Sequence, residues 1–164
     1  MMNKKLLSEM NEQINKELYS GYLYLAMSAH FEAQNLGGFA KWMGLQAQEE
    51  LEHGMKFYSF LNDLGERVEL KAIDKPQTEF GTPTEVFQQV LEHEKFVTGR
   101  IHMLYEMAVS EKDYAAQVFL QWFVNEQVEE EKNATEILES LKRAGDSANF
   151  LFMLDKMLGE RKAD

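Results

Sequence analysis

Apolar residues recur every three or four positions through four long stretches of the chain, the spacing that places them on one side of an α-helix. The first stripe is Leu7, Ile14, Leu18, Gly21, Leu25 and Ser28, and the second is Phe39, Met43, Ala47, Gly54, Phe57 and Leu61. The third is Phe87, Leu91, Val97, Ile101, Leu104 and Ala108, and the fourth is Phe119, Phe123, Ala134, Ile137 and Leu141. These predict helices over 4–33, 39–64, 83–110 and 114–144. A fifth, short amphipathic helix is predicted over 147–158, where Phe150, Leu151, Leu154, Met157 and Leu158 share a face.

The punctuation agrees. The stretch 35-NLGG-38 reads as a glycine-rich stop for the first helix, and Gly65 stops the second. Thr82, Pro83 and Glu85 spell an N-cap, a first-turn proline and a capping box. Gly145 suits the position just past the fourth helix. A helix of this size is ~40 Å long. The segment 66–82 can extend up to ~56 Å, so it alone can run the length of such a helix. The expected fold is all-α: a four-helix bundle of two antiparallel pairs joined by one long crossover, with a short fifth C-terminal helix, in a single domain over 1–164.

Each stripe is interrupted near its middle by polar residues: Glu17, then Glu50 with His53, then Glu94, then Gln127 with Glu130. Glu17 to Glu50 and Glu94 to Gln127 are both separations of 33, and Glu50–His53 and Gln127–Glu130 are both separations of three. The second set is the first displaced by 77. In antiparallel pairs this puts the groups within ~4–5 Å of one level. Four carboxylates in an apolar interior cannot all remain ionised without compensation. Protonation relieves part of the repulsion; a pair of divalent cations relieves it better and accounts for the imidazole too, and carboxylate-rich subsites with one histidine suit iron or manganese.

The charge run 126-EQVEEEKN-133 divides by angle. Gln127 and Glu130 lie within ~30–40° of the inward direction at ~100° per residue. Glu126 and Glu129 lie to one side, on the flank that Glu49 would share, where spacing alone reads them as a solvated face. Glu131 and Lys132 remain surface.

Composition narrows the functions. The formal charge is −11, which repels a phosphate backbone and argues against nucleic-acid binding. The absence of cysteine excludes disulfides, zinc–thiolate sites and iron–sulfur clusters. The first 17 residues turn polar by Ser8, unlike a signal peptide, and no apolar run reaches the ~18 residues of a membrane span. A cytoplasmic protein that does not engage the membrane is expected.

The chain resembles the non-haem ferritins of bacteria and archaea through 11-NEQINKELYSGYLYLAMS-28, 46-QAQEELEHGMKF-57, 92-EHEKFVT-98 and 119-FLQWFVNEQVEEE-131. The resemblance implies a ferroxidase centre with one iron held by Glu17, Glu50 and His53 and a second by Glu50, Glu94 and Glu130, with Gln127 close by. Glu50 would bridge the two. Tyr24 matches the family's tyrosine beside the centre, although by position it also reads as a core tyrosine. Glu49, Glu126 and Glu129, sharing Glu130, match a third iron site.

No haem is expected at the place used by bacterioferritins, because Leu51 follows the bridging glutamate and the fourth helix carries Gln127 and Glu130 in place of a second Glu-x-x-His. The implied function is iron storage and detoxification: oxidation of Fe(II) to Fe(III) with O2 or H2O2, and retention of the ferric mineral in a hollow shell of 24 subunits. Two rival readings are a peroxidase-like di-iron redox enzyme that stores nothing and a plain structural bundle whose acids are merely surface. Off-stripe apolar residues (Leu23, Phe31, Trp42, Tyr58, Tyr105 and Val128), together with the fifth helix, suggest surfaces for self-association.

Overall fold

The computed structural model describes residues 1–164. It contains five helices and no strand: α1 Lys4–Ala33, α2 Gly37–Asp63, α3 Pro83–Ser110, α4 Tyr114–Ala144 and α5 Ala148–Gly159. Most helices open on a residue of their own that captures a free backbone N–H. Asn3 accepts from Lys5 N at 2.8 Å, Asp113 from Ala116 N at 3.0 Å and Ser147 from Phe150 N at 3.3 Å. Thr82 and Glu85 form the expected capping box.

The start of α2 departs from expectation. It begins at Gly37, not at Phe39, and Leu36 offers no side-chain cap. The stop for α1 is Asn35, which takes φ 58°, so 37–38 belong to the next helix. Asp155 of α5 supplies the missing cap: its Oδ1 accepts from Gly38 N at 2.9 Å and Phe39 N at 3.0 Å. Gly38 is required by this contact, because a Cβ there would overlap the Asp155 backbone carbonyl.

α1 packs against α2, α3 against α4, and α1 lies beside α3. The crossover runs the full length of the bundle. Near its start, Asn11 accepts from Glu69 N at 2.8 Å and donates to Arg67 O at 3.2 Å. Near its end, His30 bonds Gly81 O at 2.8 Å and Phe80 is buried. Asn11 lies near the beginning of α1 and His30 near its end, so α2 and α3 run parallel and each hairpin is antiparallel.

The core has two halves. One gathers Tyr24, Met27, Phe31, Phe39, Met43 and Phe87 with Leu154 and Leu158 of α5. The other gathers Leu6, Met10, Ile14, Phe57, Leu61, Ile101 and Phe123. The polar residues of the sequence pattern lie between them.

Two expectations are corrected. On α1 the inward face is Leu6, Met10, Gln13, Glu17, Ser20, Tyr24, Met27 and Phe31, while Leu25 is 54% exposed. The true inward register carries Gln13, Glu17 and Ser20, and their polarity hides it from an apolar count. Leu23, Phe31 and Trp42 do not form an outer surface; they are buried within the chain, and α5 adds to the same core. Tyr58 and Val128 are exposed as expected, whereas Tyr105 is partly buried. No helix is long and apolar enough to cross a membrane.

Candidate metal centre

All four long helices contribute to one buried layer. Glu17 comes from α1, Glu50 and His53 from α2, Glu94 from α3, and Gln127 and Glu130 from α4; every one is at most 4% exposed. Ligand atoms of Glu17, Glu50 and His53 lie within 4.8 Å of one another, as do those of Glu50, Glu94 and Glu130. The two triads share Glu50. A third triad joins His53 and Glu130 to Glu126.

The layer behaves as a set of anions short of partners. Glu17 Oε2 and His53 Nδ1 are buried and make no hydrogen bond, although Glu50 Oε2 is 3.4 Å from that imidazole nitrogen. Burial raises the pKa of Glu17. Burial, then the Glu94 charge, pushes Glu50 well above the usual carboxylate range. Burial takes Glu94 to about 7, and burial with Glu94 as neighbour takes Glu130 to about 8. Burial would lower His53, but Glu126 at 3.7 Å and Glu50 outweigh it and raise the imidazole to about 11. Protons thus stand where positive charge is needed. Orphaned donor atoms, converging carboxylates and one imidazole fit divalent metal ions in their place.

Neighbouring residues hold the carboxylates in place. Tyr24 donates its hydroxyl to Glu94 Oε1, and its ring meets His93 edge-on at 5.7 Å. Gln127 Nε2 donates to Glu94 Oε2 at 3.1 Å and to the Glu94 backbone carbonyl at 3.2 Å. Gln127 therefore sits in the layer with its amide nitrogen shared between Glu94 and, at 3.3 Å, Thr98 Oγ1. Trp122 and Phe123 flank His53 at 5.4 and 5.9 Å between ring centroids.

Two glutamines were not anticipated. Gln13 Nε2 donates to Glu17 Oε1 at 2.8 Å, and Gln46 Nε2 to Glu130 Oε2 at 2.7 Å. Each stands four residues before a glutamate of the layer, and they are themselves 33 apart, as Glu17 and Glu50 are. That shared spacing was the available signal. Each amide oxygen is held by an arginine: Arg100 Nε reaches Gln13 Oε1 at 3.2 Å, and Arg161 Nη1 reaches Gln46 Oε1 at 3.0 Å.

The acidic flank is dispersed. Glu126 turns toward His53, Glu129 is exposed, and Glu49 pairs with Arg161 Nη2 at 2.8 Å. Burial raises the Glu49 pKa while Arg161 opposes the rise. Neither Glu49 nor Glu129 belongs to any group of three converging ligand atoms.

A bundle with one long crossover that brings four carboxylates and an imidazole to a single interior layer defines the ferritin-like class. Residues 7–144 match the ferritin family, described as a ferritin-like domain. The chain is 44% identical over 161 residues to a bacterial non-haem ferritin of Bacteroides fragilis, covering 98% of this chain and all of that one. It is 42% identical to a bacterial non-haem ferritin of Staphylococcus haemolyticus, covering all of this chain and 99% of the other. A crystal structure of an open-pore ferritin from the archaeon Archaeoglobus fulgidus superposes with a TM-score of 0.98 at 47% identity, over 99% of this chain and all of that chain. The chain belongs to the ferritin family, within its non-haem bacterial and archaeal branch.

Proposed function

We propose that this protein oxidises Fe(II) at the buried layer and stores the ferric product inside a hollow shell of 24 copies. The observation that carries the reading is the pair of ligand triads joined at Glu50. Glu17, Glu50 and His53 would receive one Fe(II), and Glu50, Glu94 and Glu130 the other. Anionic oxygen donors stabilise the higher charge of Fe(III), which favours oxidation. Each ion gives up one electron, and the pair reduces O2, with two protons, to H2O2; with H2O2 as oxidant the products are two waters. Holding both ions on one bridging carboxylate lets the two electrons leave together.

Gln13, Gln46, Gln127 and Tyr24 keep the carboxylates aimed while iron passes through. The names of the relatives, non-haem ferritins, support the storage half of this reading. The lack of cysteine and the acidic surface fit a cytoplasmic iron store that binds neither nucleic acid nor membrane.

Aerobic loading tests it. Hundreds of iron atoms per particle should remain soluble and migrate with the protein on size exclusion, at the mass of a large shell. If oxidation halts at two or three atoms per chain and further iron precipitates, the protein is a di-iron redox enzyme without a store.

A further inference from the structure

The segment after α5 reaches back to the metal layer through one side chain. Arg161 stacks on the Trp42 ring, 4.6 Å from its centroid, and donates to Trp42 O at 3.2 Å, Gln46 Oε1 at 3.0 Å and Glu49 Oε1 at 2.8 Å. Side chains of both members of the Arg161–Glu49 pair are less than one-fifth exposed. A guanidinium has only donors, so Gln46 must present its oxygen to Arg161. Its NH2 is thereby turned inward, onto Glu130 Oε2 at 2.7 Å. One cation thus determines both the partner of Glu49 and the hydrogen bond to a ligand of the second triad.

We propose that Arg161 is a built-in cation of the centre: it occupies Glu49 in place of a metal ion, orients Gln46 onto Glu130, and limits the chain to two tightly bound ions. The inference rests on the two triads being the metal-binding site. Glu49 directly precedes Glu50, as Glu126 and Glu129 precede Gln127 and Glu130, yet with its carboxylate bonded to Arg161 it joins no converging triad. A divalent ion arriving at Glu49 meets a fixed positive charge already bonded to the carboxylate. Binding there requires Arg161 to withdraw, which also frees Gln46 to rotate away from Glu130. Arg161 is a positioning residue: it touches no ion itself, but it sets how many ions the flank admits. The Arg100–Gln13–Glu17 chain is built in the same way, with Arg100 also paired to Glu9 at 3.0 Å.

The assembled, metal-free protein, titrated anaerobically with Fe(II) by calorimetry, tests this by ion count. The wild type is expected to bind two ions tightly per chain. Arg161→Gln is expected to bind three, and Arg161→Gln combined with Glu49→Gln to return to two. Three tight ions in the wild type overturn the proposal without any variant being needed. Two ions in both wild type and Arg161→Gln overturn it as well, and leave the paired-triad reading standing. Fewer than two in the wild type overturn the paired-triad reading and this inference with it. A residue that merely anchored the tail would change stability while leaving the ion count at two throughout.

Discussion

Tyr24 on α1 donates its hydroxyl hydrogen to Glu94 on α3, across the interface that joins the two hairpins. This bond and those from Gln127 oppose the effect of burial, which takes Glu94 to about 7. Tyr24→Phe keeps the ring against His93 and removes only the donor. Glu94 then holds its proton more tightly, so Fe(II) binding at Glu50, Glu94 and Glu130 needs a higher pH, by on the order of one unit. Anaerobic Fe(II) titrations across pH measure the midpoint; an unchanged midpoint means the hydroxyl is only a satisfied core group. Stability should fall by about 1–3 kcal/mol, because the buried Glu94 Oε1 loses its hydrogen-bond partner.

Glu50 is the member common to two triads. Glu50→Gln preserves volume but removes the bridging charge. Fast iron oxidation should be lost by about a hundredfold or more, because both subsites lose a ligand at once. The metal-free protein should be no less stable than wild type, since a buried carboxylate beside Glu17 and Glu94 is relieved. The increase in melting temperature on adding Fe(II) anaerobically should shrink sharply. A variant that retains both rapid oxidation and the metal-induced shift would refute the bridging role.

The protons held in the layer make the metal-free protein sensitive to pH. Glu94 and Glu130 move from 4.5 to about 7 and about 8, and His53 from 6.5 to about 11. In each window the folded chain binds a proton that the unfolded chain has lost. Stability therefore falls as pH rises from about 5 toward 9, because the slope follows the protons bound unfolded minus those bound folded. Divalent metal replaces these protons and should flatten the dependence. Calorimetry in two buffers of different ionisation enthalpy should show net proton release on binding near pH 7; no release would contradict the shifts.

The cap supplied by Asp155 ties α5 to the first turn of α2. Asp155→Ala leaves two backbone N–H groups without their acceptor, at a cost of about 1–2 kcal/mol. Hydrogen exchange of the Gly38 and Phe39 amides should accelerate about tenfold. Exchange at Glu50 and His53, deeper in the helix, should change little. Equal acceleration throughout α2 would mean that α5 braces the whole helix and not its end alone.

Much of the fold could be read from periodicity because long helices with few breakers repeat their signal many times. Helix bounds agree within two residues, and the 17-residue crossover dictated the pairing. What misled was local substitution of one signal by another. On α1, polar residues required by the layer displaced the apolar stripe to a neighbouring register. At 35-NLGG-38, glycines that looked like a stop serve a close approach by α5, and Asn35 makes the turn. The buried polar layer itself was legible because its spacing repeats between hairpins. Arg161 was not, since an isolated arginine after a short helix has no period, and its partners Trp42, Gln46 and Glu49 lie more than a hundred positions earlier.

The core divided by a charged layer has a consequence for alignment. An apolar bundle tolerates sliding, because one leucine resembles the next a turn away. Here a slip of one turn, about 5.4 Å, would carry Glu50 and His53 off the level of Glu17 and Glu94 and set carboxylates against phenylalanine and leucine. The layer that would bind metal therefore also works as a vernier mark, allowing the four helices a single longitudinal setting.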